Sequence, residues 1–183
     1  MDRPLVLSIP DPCLVVLVGA AGSGKTTFAA RHFVPDEILS SDAFRGLVAG
    51  DPTDQRATRP AFAALHRALA LRMLGGRLTV VDATNVRGPA RRSLLREAEA
   101  MRVPAVAIVL DLPAAIVHAR NSRRASGVVP AAAVDGQLTA LEGSMATGRW
   151  IGFAAVHRLQ DTAEVDRVVI ERVPASRGTS GGT

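Results

Sequence analysis

The sequence holds 183 residues, 48% of them hydrophobic and 21% charged, with a mean hydropathy of +0.19. That is one domain's worth of chain with enough apolar side chain for a buried core, and its longest apolar run, Cys13–Val18, is far too short to span a bilayer. A net charge of +5 and a pI near 11.0 raise the question of polyanionic partners, although a GC-rich coding bias would produce the same skew toward arginine.

In chain order, Met1–Pro4 lacks the basic and apolar regions of a secretory signal. The single cysteine, Cys13, excludes an internal disulfide framework and fits a reducing cytoplasm, the expected location. The histidines and Cys13 show no metal-ligand spacing. Leu14–Val18 is a continuous β-rich apolar run, the pattern of a strand buried on both faces of a parallel sheet. A glycine-rich loop follows, then a helix from about Lys25 to His32. Ile38–Leu39 predicts a short strand, and a helix is expected from Asp42 to near Gly50. Phe62, Leu65, Leu69 and Met73 recur at helical spacing within a helix over about Arg59–Leu74, which Gly75-Gly76 ends. A third strand is expected at Leu78–Val81, a helix at Pro89–Met101, a fourth strand at Val106–Leu110 and helices at Ala114 to about Arg124 and Ala131 to about Met145. Ala154–Leu159 and Arg167–Ile170 read as late strands. Strands alternating with helices predict a three-layer α/β sandwich on a mainly parallel sheet over residues 1–173, with residues 174–183 as a disordered tail.

The segments that carry chemistry all follow a strand, where ligands bind in such sheets. Gly19-Ala20-Ala21-Gly22-Ser23-Gly24-Lys25-Thr26 matches the phosphate-binding P-loop pattern at every fixed position, between an apolar strand and a helix. Of the 22 lysines and arginines only Lys25 is a lysine, and a tight phosphate cradle favours a compact ammonium over a planar fork. ATP is therefore the expected ligand. Ala21, Gly22, Ser23, Gly24, Lys25, Thr26 and Thr27 would cradle its phosphates, Lys25 reaching the β and γ groups and the Thr26 hydroxyl joining a Mg²⁺ shell. Asp42 falls at a strand end and a helix start, so it suits either an N-cap or a general base for an acceptor hydroxyl. Arg45 lies three residues on, on the same helical face, and together they suit a hydroxyl next to an anion. Asp82 suits a Mg²⁺ ligand, with Thr84 and Asn85 on the acceptor side, though Asp82–Asn85 also suits an Asx turn. Arg120, Arg123 and Arg124 sit before the flexible Ala125-Ser126-Gly127, as lid arginines over a transferring phosphate would, or as a solvated helix end would.

Taken together, GxxGSGK[ST]TFA at Gly19–Ala29, LSSDxxRGLV at Leu39–Val48, DQxAT at Asp54–Thr58, TVVDATN at Thr79–Asn85 and RNxxR at Arg120–Arg124 resemble the kinase domain of bacterial polynucleotide 5′-kinase/phosphatase end-healing enzymes. The resemblance runs from about Ile9 to Arg172 and implies a P-loop kinase fold with a helical lid, moving the γ-phosphate of ATP to the 5′-OH end of DNA or RNA. It implies Asp42 as general base, Arg45 as the holder of the acceptor's neighbouring phosphate, Arg120 and Arg124 as lid arginines, and Gln55 and Thr58 as residues facing the acceptor. This sequence departs from the family in three ways. It carries no phosphatase or ligase module, Gly127 stands where a third lid arginine is usual, and Trp150-Ile151-Gly152-Phe153 lacks the family's late glutamate before Gly-Phe. Two other readings stay open: a small-molecule kinase, which the 3% aromatic content favours over a base-stacking enzyme, and a nucleotide-binding regulatory protein.

Overall fold

The computed structural model describes residues 3–51, 55–148 and 150–175. Its centre is a five-stranded sheet of β2 (Leu14–Val18), β3 (Ile38–Ser40), β4 (Thr79–Asp82), β5 (Ala105–Leu110) and β6 (Ala155–Leu159), all parallel, in the order β3-β4-β2-β5-β6. Every residue of β2, β4 and β5 is buried. That is why these strands read as unbroken apolar runs rather than alternating ones.

Alternate side chains serve opposite faces. Leu14, Val16, Val18, Val81, Ala107 and Val109 pack on one side against α3 (Thr58–Leu74), α4 (Gly88–Ala100) and Leu141 of α6 (Ala131–Ala146). Val15, Leu17, Val80, Val106 and Ile108 pack on the other side against Phe28 and Ala29 of α1 (Lys25–His32). That second face is completed by a two-stranded parallel ribbon, β1 (Leu5–Asp11) with β7 (Val168–Pro174), through Leu7, Ile9 and Val168. The three layers expected from sequence are present, with this ribbon filling part of an outer layer.

Most strands and helices fall within a residue or two of expectation, and the differences that bear on the site or the architecture are these. Helix α2 (Ser41–Ala49) begins one residue before Asp42, because Ser40 is its N-cap and accepts from the Ala43 amide at 3.5 Å. Helix α5 (Ala114–Ser122) stops before Arg124, so Arg120 lies in its last turn and Arg124 beyond it. Neither β1 nor the six-residue α7 (Thr162–Arg167) was expected, although Asp161 caps α7 by accepting from the Glu164 amide at 2.7 Å. The chain is still in β7 at Pro174, past the boundary placed at residue 173, and residues 176–183 of the expected tail lie outside the described residues. No helix among the described residues is long and apolar enough to cross a membrane.

Candidate functional site

The chain leaves β2 for the edge strand β3, returns to β4, then crosses to β5 on the other side of β2. Strand order reverses there, and a crevice opens beyond the carboxyl ends of the strands at such a point. A cleft of ≈ 1270 Å³ occupies this place, above the roughly 300–1,000 Å³ usual for one small ligand. It is lined by the glycine loop, by Asp42 and Arg45 after β3, by Asp82–Arg87 after β4, and by Arg120, Arg124 and the start of α6.

The glycine loop is shaped by residues that only glycine replaces. Gly22 has φ +92°, and a Cβ there would sit 2.3 Å from the Val117 carbonyl of α5. Gly24, the N-cap of α1, has φ +96°. Both conformations cost an L side chain strain. Lys25 is buried and donates to the carbonyls of Gly19 and Ala20, each at 2.9 Å. Burial pulls its ammonium down to about 8, against the opposing pull of Asp82 and Asp42. Ser23 is fully buried.

Asp82 and Ser40 are paired residues of adjacent strands, which brings the ends of β3 and β4 together. Asp82 is 4% exposed and accepts from the Thr26 hydroxyl at 2.7 Å. Burial raises its pKa, and the Thr26 hydrogen bond opposes the rise. A hydroxyl and a carboxylate joined at the first turn after a phosphate loop fit a hard cation that keeps several waters and shares phosphate oxygens. Among the described residues no group of three or more His, Cys, Asp or Glu forms a metal cluster, so any cation here would depend on such shared ligands.

Asp42 lies in the first turn of α2, its carboxylate half-exposed, in contact with Arg45 and 3.9 Å from the Arg124 guanidinium. The structure thus brings Lys25, Thr26, Asp82, Asp42, Arg45, Arg120 and Arg124 to one cleft. With Ser40 as the cap, the N-cap reading of Asp42 is corrected. Thr27 lines the same cleft, and Thr84 lines it while its carbonyl accepts from the Gly19 amide at 3.1 Å. Asn85 reaches the cleft wall, but its amide donates to the Leu17 carbonyl at 2.9 Å from a backbone at φ +49°. That hydrogen bond pins the loop after β4 to β2 while Asn85 also lines the cleft. The Gln55 side chain lies outside the described residues, as does Asp54, while Thr58 lines the cleft.

Four further residues shape the site, and all but Asn121 lack a signal in the sequence pattern. Arg91 of α4 is 2% exposed and donates to the carbonyls of Asn85 at 2.8 Å and Val86 at 2.7 Å, with its guanidinium 4.2 Å from the Trp150 ring centre. Burial lowers its pKa. Gln137 of α6 accepts the Ala21 amide at 2.7 Å and so ties the far wall to the glycine loop. Asn121, inside the RNxxR segment, holds Val129 by both backbone groups at 2.7 and 3.1 Å and closes the turn that carries Arg124. Arg87 projects into the cleft beside the acceptor loop.

Comparison with known proteins agrees with this geometry. The model of the AAA domain family matches residues 14–144. No curated protein matches. Among solved structures, a chain of the Pnkp1/Rnl/Hen1 RNA repair complex is similar at 24% identity and a TM-score of 0.65, over 76% of this chain and 47% of that one. This chain therefore spans about half the length of that relative. A gluconokinase from Sinorhizobium meliloti 1021 is similar at 20% identity and a TM-score of 0.55, covering 87% of this chain and 90% of its own. Kti12 of Chaetomium thermophilum, solved with ADP-AlF3, is similar at 16% identity and 0.56, covering 84% and 94%. These likenesses share the α/β fold of P-loop kinases, and with the family model matching most of its length the chain belongs to the AAA domain family and has a P-loop kinase fold.

Proposed function

We propose that the chain is an ATP-dependent phosphotransferase that moves the γ-phosphate to the 5′-OH end of a nucleic acid. The observation that carries this reading is the Asp42–Arg45 pair at the cleft wall opposite the glycine loop, a carboxylate and a guanidinium in contact. A carboxylate alone would also suit the activation of water, but the guanidinium in contact with it adds a binding site for an anion beside the attacking oxygen. A hydroxyl neighbouring a phosphate uses both.

In this reading Lys25, Arg120 and Arg124 hold the ATP phosphates and the charge that spreads over the equatorial oxygens. Asp42 accepts the hydroxyl proton and aligns the oxygen for in-line attack. The new bond joins that oxygen to the γ-phosphorus, the β–γ bridging bond breaks, and ADP leaves. Thr26 and Asp82 would hold Mg²⁺, which supplies charge neutralisation at the β and γ oxygens.

The test offers γ-labelled ATP with a 5′-OH oligonucleotide and, separately, with gluconate and a panel of sugars. Label appearing on the oligonucleotide 5′ end, and lost on Arg45→Ala mainly through a raised acceptor KM, is the expected result. Label on a sugar and none on the oligonucleotide overturns the nucleic-acid acceptor and leaves a small-molecule kinase. Hydrolysis of ATP without any acceptor overturns both.

A further inference from the structure

Helices α3 and α4 both start at the cleft rim, and a little over two turns further on they are bridged by His66 and Glu97 at 2.5 Å. Thr58 and Phe62 of α3 line the same cleft as Arg87 and Ala90 at the start of α4. Three features of this corner are unexplained by ATP or by the reacting hydroxyl. Arg87 is exposed, and its side chain makes no hydrogen bond or ion pair among the described residues. The Thr58 hydroxyl is cut off from solvent without a partner. The Phe62 ring packs against the core and also lines the cleft, half-buried and tilted at 6.4 Å from the His66 ring, so part of it is open to a ligand.

The positive charge of the cleft shows the same surplus. It is lined by six cationic side chains, Lys25, Arg31, Arg45, Arg87, Arg120 and Arg124, against the carboxylates Asp42, Asp82 and Asp166. Arg31 is answered by Asp166 at 3.3 Å and Arg45 by Asp42. Lys25, Arg120 and Arg124 suffice for a triphosphate. Arg87 is left over, in the loop after β4 that lines the cleft.

We propose that Phe62 and Arg87 form a second acceptor subsite for single-stranded nucleic acid, the ring stacking on the base of the second nucleotide and Arg87 holding the phosphodiester that follows it. The proposal rests on the reading of the chain as a 5′-OH kinase. A stacking ring next to a backbone cation is how proteins track single strands without reading sequence. The consequence is a length preference, because a nucleoside 3′-phosphate reaches Asp42 and Arg45 but not this corner, and a hexanucleotide reaches both.

The experiment measures steady-state kinetics of the full chain with a nucleoside 3′-monophosphate, a single-stranded hexanucleotide and a blunt duplex, each with a free 5′-OH. The wild type is expected to favour the hexanucleotide over the nucleoside 3′-phosphate by roughly tenfold or more in kcat/KM, the scale of one stacked base. Arg87→Ala and Phe62→Leu are expected to raise KM for the hexanucleotide several-fold more than for the nucleoside 3′-phosphate, with the KM for ATP little moved. Arg87→Ala is also expected to reduce the salt slope of hexanucleotide binding by about one. Phe62→Leu keeps an apolar side chain against the core, and Arg87 is exposed, so melting temperatures near wild type accompany both. Hexanucleotide phosphorylation with the length preference intact in both variants overturns the subsite and leaves the 5′-OH kinase reading standing. A preference for the blunt duplex overturns it equally. No phosphorylation of any 5′-OH acceptor by the wild type removes the kinase reading and the subsite together.

Discussion

Replacing Asp42 by asparagine separates chemistry from architecture. The helix cap is Ser40, so the substitution leaves the cap of α2 in place. It removes a half-exposed carboxylate from the first helical turn and its contact with Arg45. Favourable placement at a helix N-terminus contributes about 0.3–1 kcal/mol, and an ion pair whose carboxylate is half-exposed, though its Arg45 side chain is 13% exposed, contributes at the upper end of about 0.2–1 kcal/mol. The loss of stability is therefore about 1 kcal/mol, or roughly 2–4 °C in Tm for a chain of this length. Loss of the proton acceptor costs about 10²–10⁴-fold in kcat, which is ~3–5 kcal/mol of barrier. ATP docking should not suffer: Arg124 lies 3.9 Å from the Asp42 carboxylate and is freed by the change, so the Kd for Mg-ATP stays level or tightens. Thermal denaturation, ATP titration and single-turnover transfer on one purified variant measure all three quantities. A kcat within threefold of wild type removes Asp42 from the mechanism. A Tm lowered by more than about 8 °C shows instead that the carboxylate is structural.

Lys25 predicts a pH dependence of ATP binding. Its folded pKa is lowered, from 10.5 to about 8, so the nucleotide-free protein loses the ammonium as pH rises through about 8. Bound phosphates favour the charged form, so the Kd for ATP should rise above pH 8 by up to about tenfold per pH unit, with proton uptake on binding in calorimetry at pH 9. The sign for folding is opposite: the unfolded chain holds that proton up to about 10.5, so this residue makes the free protein more stable between pH 8 and 10.5. A Kd flat from pH 7 to 10 would refute the first, and Lys25→Arg should abolish transfer. Gly22→Ala should lower stability by about 2 kcal/mol or more, from left-handed strain plus the clash with the Val117 carbonyl, whereas Gly24→Ala meets only Arg120 at 3.4 Å and should cost about 1 kcal/mol. Equal melting temperatures for the two variants would count against that ranking. Arg91→Lys keeps the charge but not the fork that spans the Asn85 and Val86 carbonyls, and should cost about 2 kcal/mol. An unchanged Tm would show that those carbonyls find other partners.

What the sequence made legible is what local geometry dictates. The glycine loop is readable because its positive-φ positions, Gly22 and Gly24, admit only glycine, and because the strand and helix it joins are adjacent in the chain. Asp42 and Asp82 are readable because strand ends at a switch point face the ligand. The rest depends on contacts distant in sequence. Gln137 reaches Ala21 across 116 residues and Asn85 reaches Leu17 across 68, and nothing in either residue's neighbourhood marks the partner. Asn85 was expected to face an acceptor for that reason: as the residue after a strand end it has the right place, and its backbone fixes what the side chain does. Arg91 sits beside Arg92 on an amphipathic helix and reads as surface charge until Trp150 is seen to cover it. Strand β1 contains Ser8 and Pro10, which break the apolar pattern, and its parallel partner β7 lies at the other end of the chain.

The charges of the cleft are largely answered from within it. Lys25 sits on two backbone carbonyls, Asp82 on Thr26, Asp42 on Arg45 with Arg124 nearby, and Arg31 on Asp166. A polyphosphate entering here exchanges partners rather than filling bare charges, so its affinity is the difference between phosphate and the carbonyl or carboxylate it displaces. That difference is largest for Lys25, whose present partners are neutral carbonyls, and smaller for Arg45, which already holds a carboxylate. Arg45 is therefore a weak anchor for a phosphate while Asp42 remains charged beside it. Arg87, which has no such internal partner among the described residues, gains the most from a phosphodiester. An acceptor held by Arg45 alone should bind loosely, and one that also reaches Arg87 should not. If the proposed function holds, the discrimination between a small alcohol and a nucleic-acid end lies at Arg87 more than at the Asp42 carboxylate.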